Sequence, residues 1–221
     1  MRLGVKTLGL LWAGTLLPLT ATTINFTLGG VSCTDGGYLC TPDLNATTIT
    51  FDSVGSPTTS YVDGDATYTW STPGTPFVNG SVDGHYASPP HDTTPYLSVG
   101  SPSLPGTVTI VFSQPLYYFG LYLGSPDTYN EISFYGPDLT LIESFTGNQL
   151  INPGNGNQLL GNFVNFFISG GGVGEIVMSS ATPAFETDNH AYDVAPEPGT
   201  WCLLGLGLAL VAAARRRFHR A

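Results

Sequence analysis

Between residues 22 and 197 this 221-residue chain has no lysine and no arginine. Its six basic side chains lie at positions 2, 6, 215, 216, 217 and 220, whereas all sixteen Asp and Glu fall within 22–197, giving that stretch a formal charge of −16. A surface without cations cannot neutralise a phosphate backbone, which excludes nucleic acid as a partner. Neutral polymers, divalent cations and cationic surfaces remain. Cysteine is scarce too, with three in all. Cys33 and Cys40, seven apart around Gly36-Gly37, are placed to close a small loop by a disulfide in an oxidising space. Cys202 is remote from both. No cysteine pair at metal spacing accompanies the histidines, which leaves zinc unsupported. His85, His91 and His190 sit near no nucleophile-elbow pattern and are expected to be loop or surface residues. The expectation is that the protein is not an enzyme.

Long apolar runs are confined to the two ends. Arg2 and Lys6 precede the run Leu8 to Leu19, and Thr20-Ala21 offers a cleavage point, so residues 1–21 read as a signal peptide. At the other end Pro196-Glu197-Pro198 is followed by an uncharged run to Ala214 and then by Arg215-Arg216-Arg217. At ~1.5 Å per residue the run 198–214 makes a helix of about 25 Å. That is the short end of what crosses a hydrocarbon core of ~30 Å. The arginines mark its cytoplasmic side, and the prolines keep the junction extended. A single C-terminal transmembrane helix is therefore predicted within 196–221.

That tail resembles the PEP-CTERM sorting signal of bacterial surface proteins. The resemblance implies processing by an exosortase, a membrane-embedded transpeptidase of Gram-negative envelopes. Pro196, Glu197 and Pro198 would be the processing motif and Arg215, Arg216 and Arg217 the membrane stop. It further implies export through the inner membrane, transient anchoring there, and a final place at the cell surface or in the extracellular matrix.

The exported part, 22–195, is long enough for one domain with a real core. It shows period-2 alternation rather than helical periodicity. Val108, Ile110 and Phe112 share one face of Thr107–Phe112, and Ile132 and Phe134 share one of Glu131–Tyr135. Thr47–Phe51, Ala66–Trp70, Leu116–Leu123, Leu139–Phe145, Phe163–Ile168 and Glu175–Met178 also read as strands, separated by Gly/Pro/Asn/Asp turns. The expected fold is all-β, a β-sandwich of jelly-roll type, with 73–105 as long loops.

Three stretches stand out. They are Gly84-His85-Tyr86-Ala87-Ser88-Pro89 leading to Thr94–Gly100, the run Phe119-Gly120-Leu121-Tyr122-Leu123-Gly124-Ser125-Pro126-Asp127-Thr128-Tyr129-Asn130, and Phe185-Glu186-Thr187-Asp188-Asn189. Together they resemble a subfamily of exosortase-dependent surface proteins. That subfamily often has Trp where Leu123 stands here. Oxygen-rich loops suit a hard cation, and Asp188, Asn189 and Asp127 are the calcium candidates, with Asp63-Gly64-Asp65 a further compact acidic pair. The function expected is a structural or interaction role at the cell surface. The alternative is calcium-assisted binding of extracellular polysaccharide.

Overall fold

The computed structural model describes residues 21–34, 38–57, 59–100, 106–194, 205–209 and 211. The signal segment up to Thr20, the triplet Pro196-Glu197-Pro198, Cys202 and the arginines 215–217 lie outside the described residues. The chain is all-β, as the alternation predicts. Its first half holds β1 (Thr23–Leu28), β2 (Val31–Ser32), β3 (Leu39–Cys40), β4 (Thr47–Ile49), β5 (Ser60–Asp63), β6 (Ala66–Trp70), β7 (Phe77–Val78) and β8 (Tyr96–Val99). The second half holds β9 (Gly106–Leu123), β10 (Asn130–Tyr135), β11 (Leu141–Thr146), a one-turn helix α1 (Gly147–Leu150), β12 (Asn162–Ser169), β13 (Val173–Ser180) and β14 (Phe185–Val194).

One strand joins the two halves of the sheet. The segments 107–112 and 116–123, expected as separate strands, are a single 18-residue strand, β9. Its first half pairs with β13 and β6, and its second half pairs with β12 and β14. Between them lies Ser113-Gln114-Pro115, where the register with β13 shifts. Pro115 cannot donate to a ladder, so pairing breaks there and the strand can turn from one partner set to the other. The result is a curled 12-stranded sheet, with all the pairings antiparallel.

The concave side is filled by aromatic side chains from both halves. Phe134 of β10 packs on Phe166 of β12 at 4.8 Å and on Phe119 of β9 at 6.4 Å. Each fully buried Phe stabilises such a core by roughly 1.5–3 kcal/mol. The opposite face of β9, β12 and β14 carries a smaller cluster, Tyr118, Tyr122, Phe163 and Ala191. It is covered by the β2–β3 hairpin, which a Cys33–Cys40 disulfide closes with Cα atoms 5.2 Å apart.

The two ends of this sheet differ. Thr23 pairs with Ser169, Gly171 N–H donates to Thr22 Oγ1, and Val194 pairs with Leu116, so the domain's first and last strands both reach one end. The start of β14, at Phe185 and Glu186, lies at the other end. At ~3.3 Å per residue the two ends are about 25 Å apart. The expected membrane helix is not found: residues 205–209 and 211 are helical, but among the described residues no helix is long and apolar enough to cross a membrane.

Candidate functional site

The three stretches that stand out in the sequence meet at the end of the sheet opposite Thr23 and Val194. There they wall an open cleft of about 450 Å³. Tyr86 and Ala87 come from the loop before β8, Ser125, Asp127 and Tyr129 from the β9–β10 turn, and Glu186 from the start of β14. Glu186 is 3 % exposed. Its Oε1 accepts the Ala87 N–H at 2.9 Å and its Oε2 the Ser125 hydroxyl at 3.3 Å. Burial pushes its carboxyl up to about 7, with the Asp127 charge acting in the same direction. Asp127 Oδ2 accepts the Tyr129 hydroxyl at 2.6 Å. Gly156, at φ +67°, lies against this carboxylate, and a Cβ there would stand 2.9 Å from both its oxygens. Only glycine lets the loop close so tightly over Asp127.

Two residues further along β14, the strand bulges. Asp188 pairs with Tyr122 but Ala191 already pairs with Gly120, and Asn189 takes φ 48° to absorb the extra residue. The bulge changes which residues face the aromatic core. Before it Phe185 points inward; after it His190 and Tyr192 do. His190 is fully buried, against the expectation of a loop or surface residue. Its ring packs at 5.0 Å from Phe51 and 5.4 Å from Phe119. Tyr68 Oη lies 3.1 Å from Nδ1 and Thr187 Oγ1 2.9 Å from Nε2, so both ring nitrogens have partners. Desolvation pushes its pKa down to about 3, and the ring is neutral.

Asp188 faces the other way, at 0 % exposure, within hydrogen-bonding reach of Asp92, at 6 %. Burial, then the Asp92 charge, pushes Asp188 up to about 10. Burial also raises Asp92, and Asp52 adds its charge to both. Thr94 Oγ1 donates to Asp92 Oδ1 at 2.7 Å and lies 3.4 Å from Asp188 Oδ2. Asp92 follows His91, a non-glycine residue at φ 64°, as Asp188 precedes Asn189. Such backbone is costly and concentrates at functional sites.

The three calcium candidates thus occupy three surroundings. Asp127 lines the cleft beside Glu186, Asp188 faces Asp92, and Asn189 Nδ2 donates to Leu39 O at 3.1 Å in the disulfide hairpin. Asp63-Gly64-Asp65 is the β5–β6 hairpin turn. Asp63 accepts the Tyr61 hydroxyl at 2.8 Å and Asp65 accepts the Ser113 hydroxyl. Among the described residues no three His, Cys, Asp or Glu side chains form a metal-binding group. The pairing of Asp92 with Asp188 is not legible in sequence, because nothing local relates two residues brought together by a bulge in one strand and a loop before another.

Residues 194–217 match the PEP-CTERM protein-sorting motif, which begins on the last residue of β14. The chain therefore carries the signal of an exosortase-sorted surface protein, and an exosortase is its processing partner. No curated protein matches it. Among solved structures it is similar to the enzymatically active domain of tailspike protein 4 of bacteriophage CBA120, at 14% identity and a TM-score of 0.30. The match covers 73% of this chain and 23% of that one, a likeness too slight to carry over either fold or activity.

Proposed function

We propose that this is a surface or matrix protein whose exported domain has a non-catalytic interaction role, binding extracellular polysaccharide in the cleft of Asp127 and Glu186. The observation that carries the reading is convergence. Residues from three stretches far apart in the sequence, each rich in turn, hydroxyl and carboxyl residues, line one cleft at the end of the sheet opposite Val194. A wall of hydroxyl and carboxyl groups with two tyrosine rings suits a neutral sugar, which offers many hydroxyl donors and apolar ring faces. An acidic cleft in a domain without lysine or arginine repels anionic polymers. Binding rather than turnover fits the engaged carboxyls: both Glu186 oxygens accept protein donors, and Tyr129 occupies Asp127 Oδ2. The jelly-roll form of the sheet, the signal peptide at 1–21, the membrane helix of 198–214 and the subfamily resemblance belong to the same proposal.

Affinity electrophoresis of the full-length protein through gels holding soluble neutral glucans, mannans or galactans tests it. Retardation by at least one polysaccharide, lost in Tyr129→Ala, is the expected result. No retardation by any of them, or full retention in Tyr129→Ala, overturns the cleft assignment. Fractionation of cells with and without the exosortase tests the sorting half separately: the domain is expected to stay in the inner membrane only when the enzyme is missing.

A further inference from the structure

We infer that Asp92 and Asp188 form a calcium site that fastens the loop before β8 to β14. Asp188 Oδ1 and Asp92 Oδ2 are buried and meet no donor. Their carboxyls nevertheless lie within hydrogen-bonding reach of one another. Two buried carboxyls within reach of each other are completed either by a proton held between them or by a cation. No lysine or arginine within residues 22–197 can serve as that cation. The nearest histidine in sequence, His91, packs its ring on Tyr38 at 4.7 Å.

Calcium fits this pair better than a transition metal. The side-chain oxygens in contact here are hard donors, two carboxylates and the Thr94 hydroxyl, and the Asp52 charge acts on both members of the pair. Calcium accepts six to eight such oxygens, completing its shell with carbonyls and water, and it needs no third carboxylate. The consequence reaches the cleft, although the inference does not depend on polysaccharide binding. The same loop carries Ala87, whose N–H holds Glu186, so an ion at Asp92–Asp188 would fix one cleft wall to β14 at a second point.

Thermal melting of the full-length chain in detergent, stripped with chelator and then titrated with calcium chloride to millimolar levels, tests the site. The expected result is a rise in Tm of several degrees for the wild type and for Asp127→Asn, absent in Asp188→Asn and Asp92→Asn. No rise in the wild type overturns the inference and leaves a single shared proton as what satisfies the pair. A rise that survives in Asp188→Asn, or that is lost only in Asp127→Asn, overturns it as well. If either aspartate variant fails to fold, tyrosine-sensitised terbium emission from the wild type decides: one equivalent displaced by calcium supports the site, and no emission sinks it.

Discussion

The two faces of β14 bury comparable amounts of polar chemistry but complete it to different degrees. On the core face, His190 sits among Phe51, Tyr68 and Phe119 with both ring nitrogens engaged. On the other face, Asp188 is just as buried, yet one of its oxygens has no donor and its neighbour is another acid. A buried polar group with every partner present holds a fold together. One left incomplete at no exposure is costly unless something outside the chain completes it. The contrast separates structural polarity from ligand-directed polarity within a single strand, and the bulge at Asn189 is what divides them.

The largest effect should come from emptying the completed face. His190→Ala leaves a cavity among aromatic rings and strips partners from Tyr68 and Thr187. It should cost about 3–5 kcal/mol in urea unfolding. A loss under about 1 kcal/mol would mean that the His190 bonds are not holding the core. Next comes the hairpin that covers the other face. Replacing Cys33 and Cys40 by Ser frees a short loop and should lower stability by about 2 kcal/mol by the chain-entropy relation. The melting curve should otherwise keep its single transition.

The pH dependence sharpens the contrast because the two faces carry opposite signs. His190 is depressed from 6.5 to about 3, so its contribution is complete above pH 6.5 and is lost as pH falls towards 3, at up to about 1.4 kcal/mol per pH unit. Glu186 is raised from 4.5 to about 7. The folded state therefore takes up its proton first, and stability gains as pH falls from 7 to 4.5. Unfolding measured from pH 7.5 to 4 should show Glu186→Gln losing stability with acid more steeply than the wild type, and His190→Phe less steeply. Parallel curves for all three proteins would contradict the assignment of these shifts. The smallest effect on stability is expected at the cleft mouth. Asp127→Asn should change unfolding by less than about 0.5 kcal/mol, as partly exposed sites do, while weakening retention in polysaccharide gels.

How far the sequence anticipates this structure follows from which signals are local. Alternation is local, and it places β6, β10 and β13 close to where they lie. Turn chemistry is local as well: Asp63-Gly64 makes the β5–β6 hairpin, with Gly64 at φ +56°. Burial on both faces erases alternation. Tyr96, Leu97, Ser98 and Val99 are all buried, so β8 carries no period-2 pattern and reads as loop within 73–105. Pro115 reads as a strand end, whereas β9 passes through it and changes partners. The candidate stretches are legible because turn and carboxyl residues are concentrated in them, and their meeting at one cleft is not. The calcium candidates illustrate the same limit. Asp188 can be picked from its strand, but its true neighbour, Asp92, is brought to it only by the fold. His190 reads as a surface residue for a related reason, since one bulged residue turns its ring from the outer face into the aromatic core.

The measurement that bears most directly on the difference between the two faces is urea unfolding of Asp188→Asn beside His190→Ala, at pH 7 with chelator present. Without a cation, an amide at 188 donates to Asp92 as the protonated Asp188 carboxyl does. Asp188→Asn is therefore predicted to be at least as stable as the wild type, while His190→Ala loses several kcal/mol. A loss of more than about 2 kcal/mol in Asp188→Asn under these conditions would contradict that division. That result would place both faces of β14 in the same structural role.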